Sequence, residues 1–80
     1  MDAIATFGEG LALARRQSRV FKAMGYQGLM LPKRSEHRIE LLAAKPGARS
    51  TVHLTFHPAG VEVELLPTGS LSKARALAEA

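Results

Sequence analysis

Two periodicities divide this chain. From residue 7 to residue 24, Phe7, Leu11, Ala14, Ser18 and Phe21 recur at steps of three and four, and Leu13, Val20 and Met24 widen the stripe. That spacing predicts an amphipathic helix with one apolar side. Thr6 followed by Glu9 has the form of a capping box. Gly8 and Gly10 weaken the first turn, and Gly25 is placed to end the helix in a left-handed cap. From residue 51 the period becomes two. Val52, Leu54 and Phe56 alternate with Thr51, His53, Thr55 and His57. After His57-Pro58-Ala59-Gly60, Val61, Val63 and Leu65 alternate with Glu62 and Glu64. This is the pattern of two strands, each with one apolar and one polar side.

The turns fix the register. A loop over 57–60 pairs Phe56 with Val61, Leu54 with Val63 and Val52 with Leu65, so all six share one face. A loop over 45–50 pairs Ala43 with Val52, Leu41 with Leu54 and Ile39 with Phe56, on that same face. Leu29-Met30-Leu31 is a candidate first strand that pairs Leu29 with Ile39 and stops at Pro32, leaving 32–36 as a loop. Pro67-Thr68-Gly69 breaks the chain. Ser70 then caps a short helix through Ala80, with Leu71, Ala74, Leu77 and Ala78 as its apolar side. The expected fold is α+β: a two-layer sandwich with an N-terminal helix, an antiparallel meander of three or four strands and a short C-terminal helix, both helices covering the apolar face. Eighty residues make one domain, 1–80.

Composition narrows the function classes. There is no cysteine, so neither a disulfide framework nor a thiolate metal site is available. The longest apolar runs are too short to span a bilayer. The Arg15-Arg16 pair follows apolar residues, the reverse of a twin-arginine signal, and a cytoplasmic location is the default expectation. Charge is segregated. Between residues 15 and 49 lie nine cations and two acids, a net of +7; the remainder holds two cations and five acids, a net of −3. A chain with two electrostatically different surfaces suggests an acidic partner.

Signatures of catalysis are missing. Asp2 is the only aspartate, and Gly8-Glu9-Gly10 follows no strand, so it is not a dinucleotide fingerprint. On a strand His53 and His57 stand about 13 Å apart, too far to share a zinc ion. His53 is expected to face Glu64 across the hairpin, Arg38 to sit near His57, and His37 to be a loop histidine. Glu62 and Glu64, about 7 Å apart on one face, have no cleft around them to shift their ionisation. The expectation is a non-enzymatic protein without metal or cofactor.

The basic residues are the better candidates for a site. Arg15, Arg16, Arg19 and Lys22 occupy the polar side of the first helix, with Lys33 and Arg34 in one loop and Lys45 and Arg49 in another. Such groups contact phosphates without reading sequence. The helix–strands–helix order resembles the double-stranded RNA-binding domain in topology, with Ser72-Lys73-Ala74-Arg75 where that family has a lysine-rich helix start. No diagnostic motif of the family is matched, and membership does not follow. Single-strand readout on the sheet is disfavoured, since no aromatic residue faces outward to stack a base. A membrane surface is disfavoured too, since the apolar side of the first helix is needed to cover the sheet.

The other class is protein contact. Leu42 and Leu66 fall on the polar side of the sheet, as does Met30 if the first strand forms, and apolar residues on an exposed face mark an interface. The strand 61–66 is expected at a sheet edge, where another chain could add, though Glu62 and Glu64 discourage that; a homodimer is a further expected partner. Small cysteine-free domains often serve as adaptors or inhibitors, some of them carried by mobile elements. The reading that leads is an adaptor or inhibitor that binds a protein partner, with the basic helix side meeting an acidic surface. The alternative is a protein that binds the backbone of DNA or double-stranded RNA through the same basic side.

Overall fold

A computed structural model describes residues 7–79, with side chains through Leu77. Helix α1 spans Phe7–Ala23, followed by strands β1 (Gln27–Lys33), β2 (Arg38–Ala44), β3 (Ser50–His57) and β4 (Gly60–Pro67), and by helix α2 (Ser70–Glu79). The strands form one antiparallel meander in the order β1-β2-β3-β4. Element order, class and both hairpin registers are those the pattern predicts. Ile39 faces Phe56, Leu41 faces Leu54, Val52 faces Leu65 and Leu54 faces Val63. The capping threonine, Thr6, lies outside the described residues, as do the side chain of Ala78 and all of Ala80.

The C-terminus of α1 is fixed by local geometry. Gly25 adopts φ +89°, its N–H donates to the Lys22 carbonyl at 3.0 Å, and the Tyr26 N–H donates to the Phe21 carbonyl at 2.9 Å. This is a Schellman motif, and its usual apolar contact is present: the Phe21 and Tyr26 rings lie 5.1 Å apart. The side of α1 that meets the sheet is built from small residues. Gly10 and Ala14 are buried and Ser18 is half-buried. A Cβ on Gly28 of β1 would stand 3.6 Å from the Ser18 Oγ, so helix and sheet approach closely there. Phe7, Ala14, Ile39, Leu41, Leu54 and Phe56 form the core, with Leu11, Leu13, Phe21, Met30 and Val52 against it.

Three expectations are corrected. First, β1 runs through Pro32 to Lys33, and its register places Leu29 opposite Leu42, Met30 opposite Leu41 and Pro32 opposite Ile39. Met30 therefore faces α1, while Leu29 and Leu31 face the other way. An edge strand is where a sheet tolerates proline, so Pro32 does not end it. The connection shrinks to a 3-10 turn, Arg34–Glu36, closed by His37 at φ 52°.

Second, α1 and the sheet make the expected two layers, but α2 does not join α1. Met30 lies beside Arg15, Ser18 and Arg19 of α1, whereas Leu31 lies beside Ala74 and Leu77 of α2. Neighbouring residues of a strand point to opposite faces, so α2 covers the second face, over β1 and β2. Leu42 and Leu71 are consequently buried, each 5% exposed. Leu42 belongs to the core and not to an open interface. Nor does Ser70 cap α2. Its Oγ donates to the Pro67 carbonyl at 2.7 Å, and the first helical bond runs from the Lys73 N–H to the Gly69 carbonyl.

Third, the apolar face is not fully covered: its outermost strand, β4, is left bare. α1 lies over β1 and β2 and reaches only the near side of β3. A helix about 10 Å wide spans roughly two strands at about 4.8 Å spacing. It cannot also reach β4, and Val61, Val63 and Leu65 remain 46%, 67% and 67% exposed.

Candidate interaction surfaces

Three chemically distinct surfaces result. On the first, α1 carries Arg15, Arg19 and Lys22 beside Met30 of β1, so this flank of the helix leans toward the β1 edge. Arg75 of α2 comes to the same edge, lining a cleft with Lys22, Gln27 and Gly28. Lys33 lies next to Ala74 and Leu77. Among the described residues, no ion pair engages Arg15, Arg16, Arg19, Lys22, Lys33 or Arg75. The two helices thus bring a cationic ribbon together along one edge of the sheet. Arg75 is the member that sequence spacing did not supply, because its place depends on α2 lying across the sheet from α1.

The remaining predicted cations are dispersed. Arg34 stacks over the Phe7 ring with its guanidinium 4.4 Å from the centroid, and Lys45 lies 5.8 Å from the Tyr26 centroid. Both close turns over aromatic residues at opposite ends of the molecule. Arg49 is exposed in the β2–β3 turn, and its carbonyl accepts a hydrogen bond from the Thr68 hydroxyl.

The second surface is polar, on the α2 face of β2, β3 and β4. Arg38 pairs with Glu36 at 2.8 Å and lies 3.6 Å from Glu40. His53 Nε2 is 2.9 Å from Glu40 Oε1, and its Nδ1 is 3.7 Å from Glu64 Oε2. His57 Nε2 lies 3.5 Å from Glu62 Oε1, and no hydrogen bond forms at that separation. His53 does face Glu64, and Arg38 does sit near His57, as expected. This is a ladder of cross-strand polar pairs, each worth at most about 1 kcal/mol. Among the described residues, no three His, Asp or Glu side chains are grouped to hold a metal ion. A cavity of about 290 Å³ opens beside the first turn of α2, lined by Lys45, Ser50, Thr51, Thr68 and Ser72 among others. The Thr51 hydroxyl there lacks a hydrogen-bond partner and is sealed from solvent.

The third surface is apolar and was not foreseen. Among the described residues, six large hydrophobic side chains are exposed: Val20, Met24, Val61, Val63, Leu65 and Leu77. Five of these share one side of the molecule. At about 100° per residue, Val20 and Met24 lie on the flank of α1 opposite Arg15 and Lys22. That flank overlooks β3 and β4. Beneath it the exposed Val61, Val63 and Leu65 line the outermost strand. The signal was present in the alternation of 61–65. Its exposure depends on where α1 sits, which the alternation does not specify. Leu66, on the opposite side of β4 and paired with Thr51, is half-buried.

No helix among the described residues is long and apolar enough to cross a membrane. No protein-family model, curated protein or solved structure matches the chain. The topological resemblance to the double-stranded RNA-binding domain therefore gains no structural counterpart.

Proposed function

We propose that this protein is a small non-enzymatic binding protein that works through protein–protein contact, as an adaptor or inhibitor, and that its contact surface is the uncovered β4 side. One observation carries the reading: Val61, Val63 and Leu65 are exposed on β4, an edge strand of the sheet, with Val20 and Met24 exposed on the flank of α1 that faces this side. A grouped apolar surface with a polar surround is the usual mark of an interaction site. The cationic ribbon lies on the far flank of α1, beside β1. A partner seated on β4 leaves it free to meet a second, acidic surface, which favours an adaptor.

The unpaired cations of that ribbon support the second reading, binding of a nucleic-acid backbone. Under it, affinity for DNA or RNA falls with salt at a log–log slope of about −0.9 per phosphate contacted, roughly −3.6 for four contacts. The two readings separate in a capture experiment from the native source with wild type, Val63→Lys, and the double variant Arg15→Glu with Arg19→Glu. Val63 is 67% exposed, so its replacement costs about 0.5 kcal/mol or less. Protein contact through β4 predicts a partner lost with Val63→Lys and kept by the double variant. A partner or nucleic acid that ignores Val63→Lys and vanishes with the arginine reversals replaces this reading with the second.

A further inference from the structure

We propose that β4 is completed by strand addition, the added segment being an extended stretch of a partner protein in which apolar residues alternate with lysine or arginine. This inference rests on the protein-contact reading and specifies its chemistry. The backbone is the first argument. β4 pairs with β3 without interruption from Ser50 opposite Pro67 to His57 opposite Gly60. Its outward N–H and C=O groups therefore form a regular row, with no bulge to twist it away and no proline between Val61 and Leu66. The other edge is closed to such pairing. β1 contains Pro32, and both helices pack over it.

Side chains specify the segment. On the α1 face an added strand would set its residues beside the exposed Val61, Val63 and Leu65, where apolar side chains gain most. On the opposite face it would meet Glu62 and Glu64, whose side chains are 75% and 67% exposed. Their neighbours within the sheet are His57 at 3.5 Å and His53 at 3.7 Å, both on the β3 side. The outer side of each carboxylate is open to a cation on the incoming strand. Strand addition draws affinity from the main chain and specificity from alternating side chains, and here the alternation is apolar and cationic.

The same charges argue against a second copy of this chain. An antiparallel β4–β4 pair centred on Val63 sets Glu62 of each copy against Glu64 of the other. Like charges directly opposite destabilise a sheet.

The test titrates the full chain with synthetic peptides as long as β4, 8 residues, and follows backbone amide signals. One peptide alternates valine with lysine, one alternates valine with glutamate, and a third is the lysine peptide N-methylated along one edge. The expected result is shifts at residues 61–66 with the lysine peptide and affinity about tenfold lower for the glutamate peptide. N-methylation should abolish binding on the edge that faces β4. Glu62→Lys with Glu64→Lys should reverse the preference. Binding at 61–66 that ignores both N-methylation and peptide charge overturns strand addition and leaves the protein-contact reading standing. So does failure of both peptides when a captured partner still depends on Val63. A dimer held through β4 in sedimentation overturns it in favour of a second copy.

Discussion

Leu54 and Thr55 are neighbours in β3 with opposite fates. Leu54 points at α1 and is 8% exposed, in contact with Leu41 and Phe56 of the core; Thr55 points at the α2 face and is only half-buried. Leu54→Ala should cost about 2–5 kcal/mol through lost burial and an unfilled cavity. Thr55→Ala should cost about 1 kcal/mol or less, and urea unfolding of the two variants checks the difference. Equal small losses would mean that the two faces are assigned the wrong way round. Leu42 makes a sharper case. Alternation places it among polar residues, Glu40 and His53, and by that logic it is an exposed oddity. It is 5% exposed because α2 returns across this face. Leu42→Ala should therefore destabilise by about 2–5 kcal/mol. A variant that unfolds like wild type would remove α2 from the second face.

At the scale of elements, what was legible depended on local rules. Both hairpins could be read because turn length and a shared apolar face fix the same register twice. The end of α1 could be read because glycine reaches a left-handed conformation cheaply. Gly25→Ala should cost about 1–2 kcal/mol, since an L-residue is strained at φ +89°. The denaturation midpoint measures it, and an unchanged midpoint would rule out the Schellman cap. The course of β1 was less legible. A proline reads as a stop, yet the edge position of β1 accommodates Pro32, and the register then shifts from the expected Leu29–Ile39 pairing. The side on which α2 docks was not legible either. Its apolar residues, Leu71, Ala74 and Leu77, would suit either face of a sheet. Leu29, Leu31 and Leu42 supply the apolar patch that receives it, and their common orientation follows only from the true β1 register.

On the scale of the whole molecule, two helices cover β1 and β2, α1 also reaches β3, and the apolar face of β4 is left bare. Of the cations that dominate residues 15–49 in sequence, Arg15, Arg19, Lys22 and Lys33 gather along the β1 edge, joined by Arg75, while Arg34, Lys45 and Arg49 are dispersed and Arg38 pairs with Glu36. Four of the acids lie on the α2 face, at Glu36, Glu40, Glu62 and Glu64. Charge is thus segregated in space only partly as it is in sequence, and the cationic ribbon does not coincide with the apolar surface. The candidate cations were legible because charge runs are local. The β4 surface was not, because apolar alternation looks the same whether or not a helix lies above it. The claim that this bare edge is where the protein works is tested most directly by amide hydrogen exchange on the complex with its captured partner. The account predicts exchange slowed about tenfold or more across residues 61–66, with residues 15–22 unchanged. Slowing confined to residues 15–22 and the β1 edge, with β4 exchanging as in the free protein, would contradict it.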